Sequence, residues 1–554
     1  MDYSRLVEVF EQLESTSGRL DMTAMIAEFL STVSGEELPL VLLHLKGQVF
    51  PLWSDKEIGI AQNIMIKALE KVSGSSEKEI GGKLRETGDL GLTSAEILVK
   101  KAQTTLFTEK LTLSSVQLNL EKMASLSGKG SQERKLGYLT ELLSMASPLE
   151  GKYIVRLVLG ELRLGVGEGI IRDAIAQAYS ADPKLVEGAY NLSNDFGEVA
   201  SKAKKEGDRG LQKISLSPGS PFKVMLAQKA EGIEQVLEDV EDLAFEVKYD
   251  GMRVQIHKIG DEITLFTRRL ENVSRQFPEV VKYASQNVKA KSAILEGEVV
   301  AVKSKKDRSP RPFQDLSRRI KRKYEIERMV KDVPVEANLF DLIFLDGESK
   351  VNLPFKERRE LLRETVKEND FFKLASQLVS KNPEEINEFY QRSIAMGHEG
   401  IMAKNLDAPY QAGSRVGYMY KIKPVMESLD LAITGATWGE GRRAHWLGSF
   451  LLSALNQETG ELEEIGRMAI GLTDQEFQEM TERLKPLIIK QEGKEANIRP
   501  EVVVEVAYEE IQSSPTYRSG YALRFPRLVR VREDKSIGEV DSLARVESIL
   551  SMRK

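Results

Sequence analysis

Two hydrophobic rhythms divide the chain. Up to about residue 205, apolar side chains recur every three or four positions, as in LVEVFEQL, AQNIMIKALEKV, RKLGYLTELLSM and IIRDAIAQAY, with Gly and Ser clusters between them. That spacing lines one face of a helix and predicts an all-α region. The stretch Ser201–Gly210 (SKAKKEGDRG) is polar, charged and ends in Gly, so it reads as a linker. From about Phe222 the rhythm shortens to alternation in FEVKYDG, MRVQIHKI, EITLFTRR, AILEGEVVAV, ANLFDLIFLDG, GIMAKN and YMYKIKP. A few helices such as KERRELLRETVKE separate these strands, and the mixture predicts an α+β domain ending near Pro424. Beyond it LDLAITGATW, SFLLSALN, EIGRMAIG, EVVVEVAYEEI and LRFPRLVRVRED continue almost without helices, TDQEFQEMTERLKPLI excepted. Short strands around one inserted helix suit a β-barrel of the OB type. The expected organisation is multidomain, with boundaries at residues 1–210, 211–424 and 425–554.

A length of 554 residues agrees with three domains of roughly 150 residues each. Composition then works by exclusion. The absence of cysteine removes disulfides, thiolate zinc sites, iron–sulfur clusters and cysteine nucleophiles together. His44, His257, His398 and His445 are scattered and form no HExxH, so any metal would be a hard ion on carboxylates, most naturally magnesium. No apolar run approaches the ~20 residues of a membrane span, and the acidic, amphipathic N-terminus does not resemble a signal peptide. A cytoplasmic protein without membrane contact is expected. The net charge of −6 argues against indiscriminate polyanion binding. Yet the run Val302–Tyr324 packs ten Lys and Arg residues together, Arg311, Arg318, Arg319 and Lys323 among them, opposed mainly by Asp307 and Asp315. Such a concentration suits a surface that tracks phosphates.

Candidate chemistry centres on FEVKYDGMRVQIHK. Strand, tight turn at Asp250–Gly251 and strand would place Lys248 and Arg253 on facing sides of a hairpin. A nucleophilic lysine must lose its proton, which desolvation or cationic neighbours favour; Arg253, Lys421 and Lys423 are the candidate cations. Glu296 and Glu298 stand two apart in an apolar strand and so share a face. Glu399 heads the strand in HEGIMAK, Lys421 and Lys423 share one face of YMYKIKP, and Phe340 could stack on a base. Neither GxxxxGK[ST] nor a post-strand GxGxxG occurs, so nucleotide phosphates would meet lysine, arginine and magnesium rather than a glycine cradle.

In order, KYDGMR (Lys248–Arg253), TRRLENVSRQFPE (Thr267–Glu279), LEGE (Leu295–Glu298), LFDLIFLDG (Leu339–Gly347), EGIMAK (Glu399–Lys404), YKIKP (Tyr420–Pro424) and RFPRLVRVREDK (Arg524–Lys535) resemble the nucleotidyltransferase motifs of ATP-dependent DNA ligases. The resemblance covers essentially the whole chain and looks closest to the archaeal type, with ELRLGVGEGIIRDA (Glu161–Ala174) similar to their helical DNA-binding domain. It implies that Lys248 forms a phosphoramidate with AMP, that Glu246 contacts the adenine, and that Arg253 and Arg268 bind ribose or phosphate. Glu298 would meet the ribose or a metal, Phe340 would stack on the base and Glu399 would hold Mg2+. Arg415, Lys421 and Lys423 would meet the phosphates, and Arg524 with the basic residues after it would orient the departing pyrophosphate. Glu296 stands where many relatives have Asp.

The implied activity is ATP- and Mg2+-dependent sealing of nicked double-stranded DNA in replication, repair and recombination, by a monomer. Glycines at the expected helix starts in LSGKGSQERK and RLGVGEG would offer backbone amides to DNA phosphates. QTTLF (Gln103–Phe107) resembles the sliding-clamp-binding peptide of archaeal ligases, with Leu106 replacing the more usual aromatic. Rival readings fit less of the chain. Capping guanylyltransferases do not need the helical N-terminal domain, RNA ligases ordinarily lack RFPR…REDK, and NAD-dependent bacterial ligases usually carry a cysteine zinc module. A DNA- and clamp-binding scaffold with a vestigial nucleotide site would have no use for Lys248, Glu298, Glu399, Lys421 and Lys423 together.

Overall fold

A computed structural model describes residues 1–101, 110–322, 324–424, 427–439 and 444–551. The chain divides into two compact units, Met1–Ile422 and Lys423–Lys554. Among the described residues no helix is long and apolar enough to cross a membrane.

The first unit opens with helices, from Tyr3–Glu14 to Asp208–Gln212, and among the described residues of this region the β-pairing is the isolated Asp2–Thr112 bridge. Local signals set their ends. In SPLEGKYIVRLVLG the Ser147 hydroxyl accepts from the Glu150 amide at 3.3 Å, while the Glu150 carboxylate accepts from the Ser147 amide at 2.7 Å. Pro148 fills the first turn of the helix Pro148–Leu159, and Gly160, at φ +71°, ends it. The buried Tyr153, Ile154, Val155 and Leu157 join this helix to a core that runs from Tyr3 to Ile214.

The linker expected at Ser201–Gly210 is instead helical. Its first half completes the helix Phe196–Glu206, whose Asp195 cap accepts from the Glu198 amide at 3.0 Å. Phe196, Val199, Ala200 and Ala203 form a buried stripe at helical spacing, which the surrounding Lys and Glu residues disguise in the sequence. Gly207, at φ +57°, breaks the helix before the short Asp208–Gln212 turn. Gly197 is required by close packing: a Cβ there would lie 2.6 Å from the Pro39 Cα.

The strands of the first unit are β1 Leu226–Lys229, β2 Leu243–Lys248, β3 Met252–Ile259, β4 Glu262–Thr267, β5 Ser292–Ala301, β6 Val335–Leu345, β7 Glu348–Ser349, β8 Phe372–Leu374, β9 Gln377–Val379, β10 Gly400–Asn405 and β11 Arg415–Ile422. They build two sheets, one of order β1-β11-β10-β2-β9 and one of order β4-β3-β5-β6-β7 with β8 added beside β6. The first sheet packs on the helices Ile233–Asp239 and Pro383–Ala395. The second covers a core with the helices Pro278–Asn287, Phe313–Ile320 and Phe355–Thr365. A smaller cluster containing Met225, Ile294, Ile343, Val416 and Met419 fills the space where the two sheets face each other.

The second unit is strand-rich, as expected: β12 Leu429–Trp438, β13 Leu447–Leu455, β14 Leu462–Met468, β15 Ile488–Glu492, β16 Glu495–Ile498, β17 Val503–Ala507, β18 Glu510–Ser513, β19 Tyr521–Arg524 and β20 Arg527–Val531. Among the described residues their ladders make a branched seven-stranded sheet and a separate β18–β19 pair, without a closed ring. EVVVEVAYEEI and LRFPRLVRVRED, each expected as one strand, both split. β17 pairs with β20 while β18 pairs with β19, and the second break falls at Phe525, whose φ is +50°, and Pro526, which has no amide proton to donate. The inserted helix forms at Asp474–Leu484, and a further helix, Leu543–Ser551, follows the last strand.

Candidate active site

Lys248 ends β2, but the predicted hairpin does not form. β2 lies between β10 and β9, whereas β3 lies between β4 and β5, so Asp250–Gly251 carries the chain from one sheet to the other. The turn runs so close to β5 that a Cβ at Gly251 would sit 2.4 Å from the Val299 carbonyl oxygen. Glycine thus lets the turn after Lys248 pass directly beside Glu298 of the other sheet.

The Lys248 Nζ forms an ion pair with Glu399, and the Glu399 amide donates to the Lys248 carbonyl at 2.9 Å. Glu298, on β5, completes the surroundings. Burial pushes its carboxyl up to about 8; Lys248 and Arg253 oppose that shift, and Glu399 and Asp250 reinforce it. Two clustered carboxylates, one of them hard to ionise, call for additional positive charge. One or two carboxylates plus phosphate oxygens are also the usual coordination of magnesium, so this donor set fits such an ion. Among the described residues no cluster of three or more His, Asp or Glu stands ready to hold a metal by itself.

Glu296 and Glu298 do share a face, and both engage Arg253. The Arg253 guanidinium grips Glu296 through Nη2 at 2.8 Å and Nε at 3.2 Å, while Glu298 is its cross-strand neighbour. Nη1 of Arg253 donates to the Met225 carbonyl at 2.9 Å, and the Tyr410 hydroxyl stands 3.4 Å from Nη2. A fully buried Glu296 thereby fixes the arginine, leaving its other face 5.4 Å from the Phe340 ring centre.

Phe340 marks the far end of the same site. Lys404 lies 4.5 Å from the Phe340 ring centre and 2.6 Å from Glu246. The Glu246 carboxylate, 2% exposed, also accepts from the Gln377 amide at 3.0 Å and lies 3.6 Å from Arg359. Behind it Arg358 and Asp341 form a buried bidentate pair at 2.9 and 3.0 Å. Lys404, Arg359, Gln377, Asp341, Arg358 and Tyr410 were not among the residues singled out from the sequence. Lys404 closes EGIMAK and alternates with Met402, which was readable; the two arginines of KERRELL carry no signal that separates them from solvated helix charges.

The remaining predicted residues divide. Arg268 is exposed in the turn after β4, and Arg415 begins β11 with its guanidinium 3.4 Å from the Ala227 carbonyl. Lys421, also on β11, lies opposite Met402 and Lys229 in the ladders. Lys423 belongs to the second unit, where it lies 3.9 Å from Glu509. In that unit Arg524 pairs with Glu510 at 3.1 Å, and Arg532 and Lys535 both pair with Asp430.

The basic run is not uniformly a surface. Arg319 is fully buried, donating to the Gln276 and Val333 carbonyls and to Glu279 at 2.5 Å, with Phe277 against its face. Its expected place on the phosphate-tracking face is therefore wrong; the guanidinium serves as an internal clamp. Arg311, Arg318, Lys321 and Arg322 do line an open groove of about 580 Å³, with Asp315 and Asp332 at its edge. Gly130 and Gly167 precede the helices Ser131–Met145 and Glu168–Ala178, as the glycine clusters predicted. Gln103–Phe107 and Lys323 lie outside the described residues.

Known proteins match this arrangement over its whole length. The ATP dependent DNA ligase domain matches residues 224–423, the DNA ligase N terminus residues 2–176, and the ATP dependent DNA ligase C terminal region residues 443–535. A DNA ligase of Thermococcus onnurineus is 48% identical over 100% of this chain and 98% of its own. One from Archaeoglobus fulgidus is 46% identical over 100% and 99%. The solved structure Pmar-Lig_PreS3 shares the fold, with a TM-score of 0.56 at 17% identity over 95% of this chain and 99% of its own. With identities this high over nearly all of both sequences, and a lysine paired with a carboxylate beside an arginine held by Glu296, the chain belongs to the ATP-dependent DNA ligases of the archaeal type.

Proposed function

We propose that this ligase seals nicks in duplex DNA through adenylated Lys248. The observation that carries the reading is the ion pair of the Lys248 Nζ with Glu399, in a site that also holds Glu298, Arg253, Phe340 and Glu246. The Lys248 amine, after losing a proton, attacks the α-phosphorus of ATP; the bond to the β-phosphate oxygen breaks and pyrophosphate leaves. The 5′-phosphate at the nick then attacks the same phosphorus, breaking the N–P bond and returning the lysine. Finally the 3′-hydroxyl attacks the activated 5′-phosphate and AMP departs.

The remaining residues take the roles that the family resemblance implies. Glu246 receives the adenine edge and Phe340 stacks on the base, while Arg253 and Arg268 bind ribose or phosphate. Arg415, Lys421 and Lys423 meet phosphate oxygens, and Arg524 with the basic residues after it orients pyrophosphate. Glu298 and Glu399 would hold Mg2+, which when bound supplies positive charge against the phosphates. Glu399 also pairs with the Lys248 ammonium and so orients the nucleophile.

Incubation with ATP labelled at the α-phosphate and Mg2+ should give a covalent AMP adduct that Lys248→Ala abolishes, together with nick sealing by the wild type. An undiminished adduct in Lys248→Ala would overturn the assignment. In the cell we place the enzyme in the cytoplasm as a monomer serving replication, repair and recombination. Gln103–Phe107 is proposed to bind the sliding clamp; Phe107→Ala should weaken clamp pull-down and leave sealing of free DNA intact, and unchanged pull-down would remove that idea.

A further inference from the structure

Base selection needs a group that accepts hydrogen bonds and cannot turn to donate. A carboxylate meets that need only while something fixes its orientation and offsets the loss of its water. Glu246 is 2% exposed, and three side chains from three different elements converge on it. Lys404 on β10 takes one oxygen at 2.6 Å. On the other, Arg359, from the helix Phe355–Thr365, stands at 3.6 Å, with its guanidinium anchored on the Leu339 and Ala375 carbonyls. Gln377 donates to that second oxygen at 3.0 Å from β9, where it is the direct cross-strand partner of Glu246.

These three are not equivalent. Lys404 and Arg359 supply charge, and Lys404 also packs against Phe340 and Phe355. Gln377 supplies no charge and lies on the strand at the edge of the sheet, so its amide mainly fixes the direction of one oxygen. Two direct hydrogen bonds, from Lys404 and Gln377, leave part of a capacity of about four acceptor positions open. Lys404 touches both Glu246 and the Phe340 ring, so the carboxylate and the ring lie within one side chain's reach of each other.

We infer that Gln377 is a positioning residue for nucleobase selection, orienting Glu246 to accept from a 6-amino purine and to repel a 6-oxo purine. The inference rests on the reading of Glu246 as the adenine contact. An exocyclic amine donates to the held oxygen, whereas the oxo group of a guanine or hypoxanthine presents a second acceptor to it. Discrimination of this kind follows from leaving one buried polar group facing another of the same sense.

The test uses the full-length enzyme, with ATP and, separately, inosine triphosphate, in which a 6-oxo group replaces the 6-amino group and N1 carries a proton. Pyrophosphate release gives kcat and KM for each nucleotide. Gln377→Met keeps the length and loses the donor; it should lower the ATP-to-ITP ratio of kcat/KM by about tenfold, chiefly through a higher KM for ATP. Gln377→Glu sets a second carboxylate against Glu246 and should lower it further. Equal slowing on both nucleotides would make Gln377 a structural residue only and overturn the inference. So would an unchanged ratio in both Gln377 variants while Glu246→Gln collapses it, and in that case the Glu246 reading would stand. An unchanged ratio in Glu246→Gln would overturn that reading and the inference with it. Should Gln377→Met not fold, Gln377→Glu decides by the same ratio.

Discussion

Lys248 and Glu399 are joined twice, through their side chains as an ion pair and through their backbones by a 2.9 Å hydrogen bond from the Glu399 amide to the Lys248 carbonyl. The second link places them by sheet register, since Lys248 pairs with Gly400 in the β2–β10 ladder. The backbones therefore keep the carboxylate within reach of the ammonium, and a cation on Glu399 would compete with that pair. Glu399→Gln should slow adduct formation by about tenfold or more at low Mg2+, with partial recovery as Mg2+ is raised. Rates equal to the wild type at every Mg2+ concentration would remove Glu399 from the site chemistry.

Gly251 allows the crossing between sheets. A methyl group there would meet the Val299 carbonyl at 2.4 Å and the Glu298 side chain at 3.0 Å. Gly251→Ala should cost about 1–3 kcal/mol of stability and displace Glu298, so adduct formation should fall further than the loss of folded protein explains. Thermal melting compared with single-turnover adenylation separates the two effects. Unchanged values in both would mean that the turn can retreat from β5.

Much of this site was legible because strand alternation is simple. Glu296 and Glu298 were placed on one face from spacing alone, and Arg253, across the ladder from Glu298, binds Glu296 on that face. The hairpin was misread because strand–turn–strand is a local pattern, whereas the partners of β2 lie more than a hundred positions away and those of β3 only tens or fewer, and sequence spacing does not separate these cases. Arg319 was misread for a different reason: its neighbours are cations in solvent, and only the fold delivers the Gln276 and Val333 carbonyls that bury it. The ring of donors around Glu246 comes from three distant segments, beyond the reach of any motif. Ser201–Gly210 failed on composition, since the apolar stripe that makes it helical begins before it, at Phe196.

Glu168 ties the helical region to the start of the central one, bonding Lys223 at 2.5 Å and Tyr190 at 2.6 Å, with Lys46 at 3.4 Å. Burial alone would raise its carboxyl, but the hydrogen bonds from Lys223 and Tyr190 and the two lysine charges outweigh that and hold it at about 2. A depressed value means stability present above the ordinary carboxylate range near 4.5 and lost as pH falls through about 2. Because Glu168 is 41% exposed, solvent screening reduces the gain to about 1 kcal/mol. Glu168→Gln should lower the urea midpoint near neutral pH, with the gap to the wild type narrowing below the ordinary range. An equal gap in neutral and acidic buffer would show that shape, not charge, is responsible.

Adjacent arginines give the sharpest contrast. Arg318 has a side chain 79% exposed at the groove, and Arg319 has one that is 0% exposed. Arg319→Ala removes one partner of a buried pair and leaves Glu279 uncompensated, so it should cost about 3 kcal/mol or more and lower the melting temperature. Arg318→Ala should leave melting unchanged. If the groove meets DNA phosphates, Arg318→Ala should also weaken binding of nicked duplex uniformly across sequences and reduce the slope of log affinity against log salt by about 1. Titrations at several salt concentrations, run beside melting curves, read both variants. A salt slope unchanged in Arg318→Ala would take the groove out of the DNA path, while normal melting of Arg319→Ala would mean that its cluster of carbonyl acceptors is satisfied by water instead.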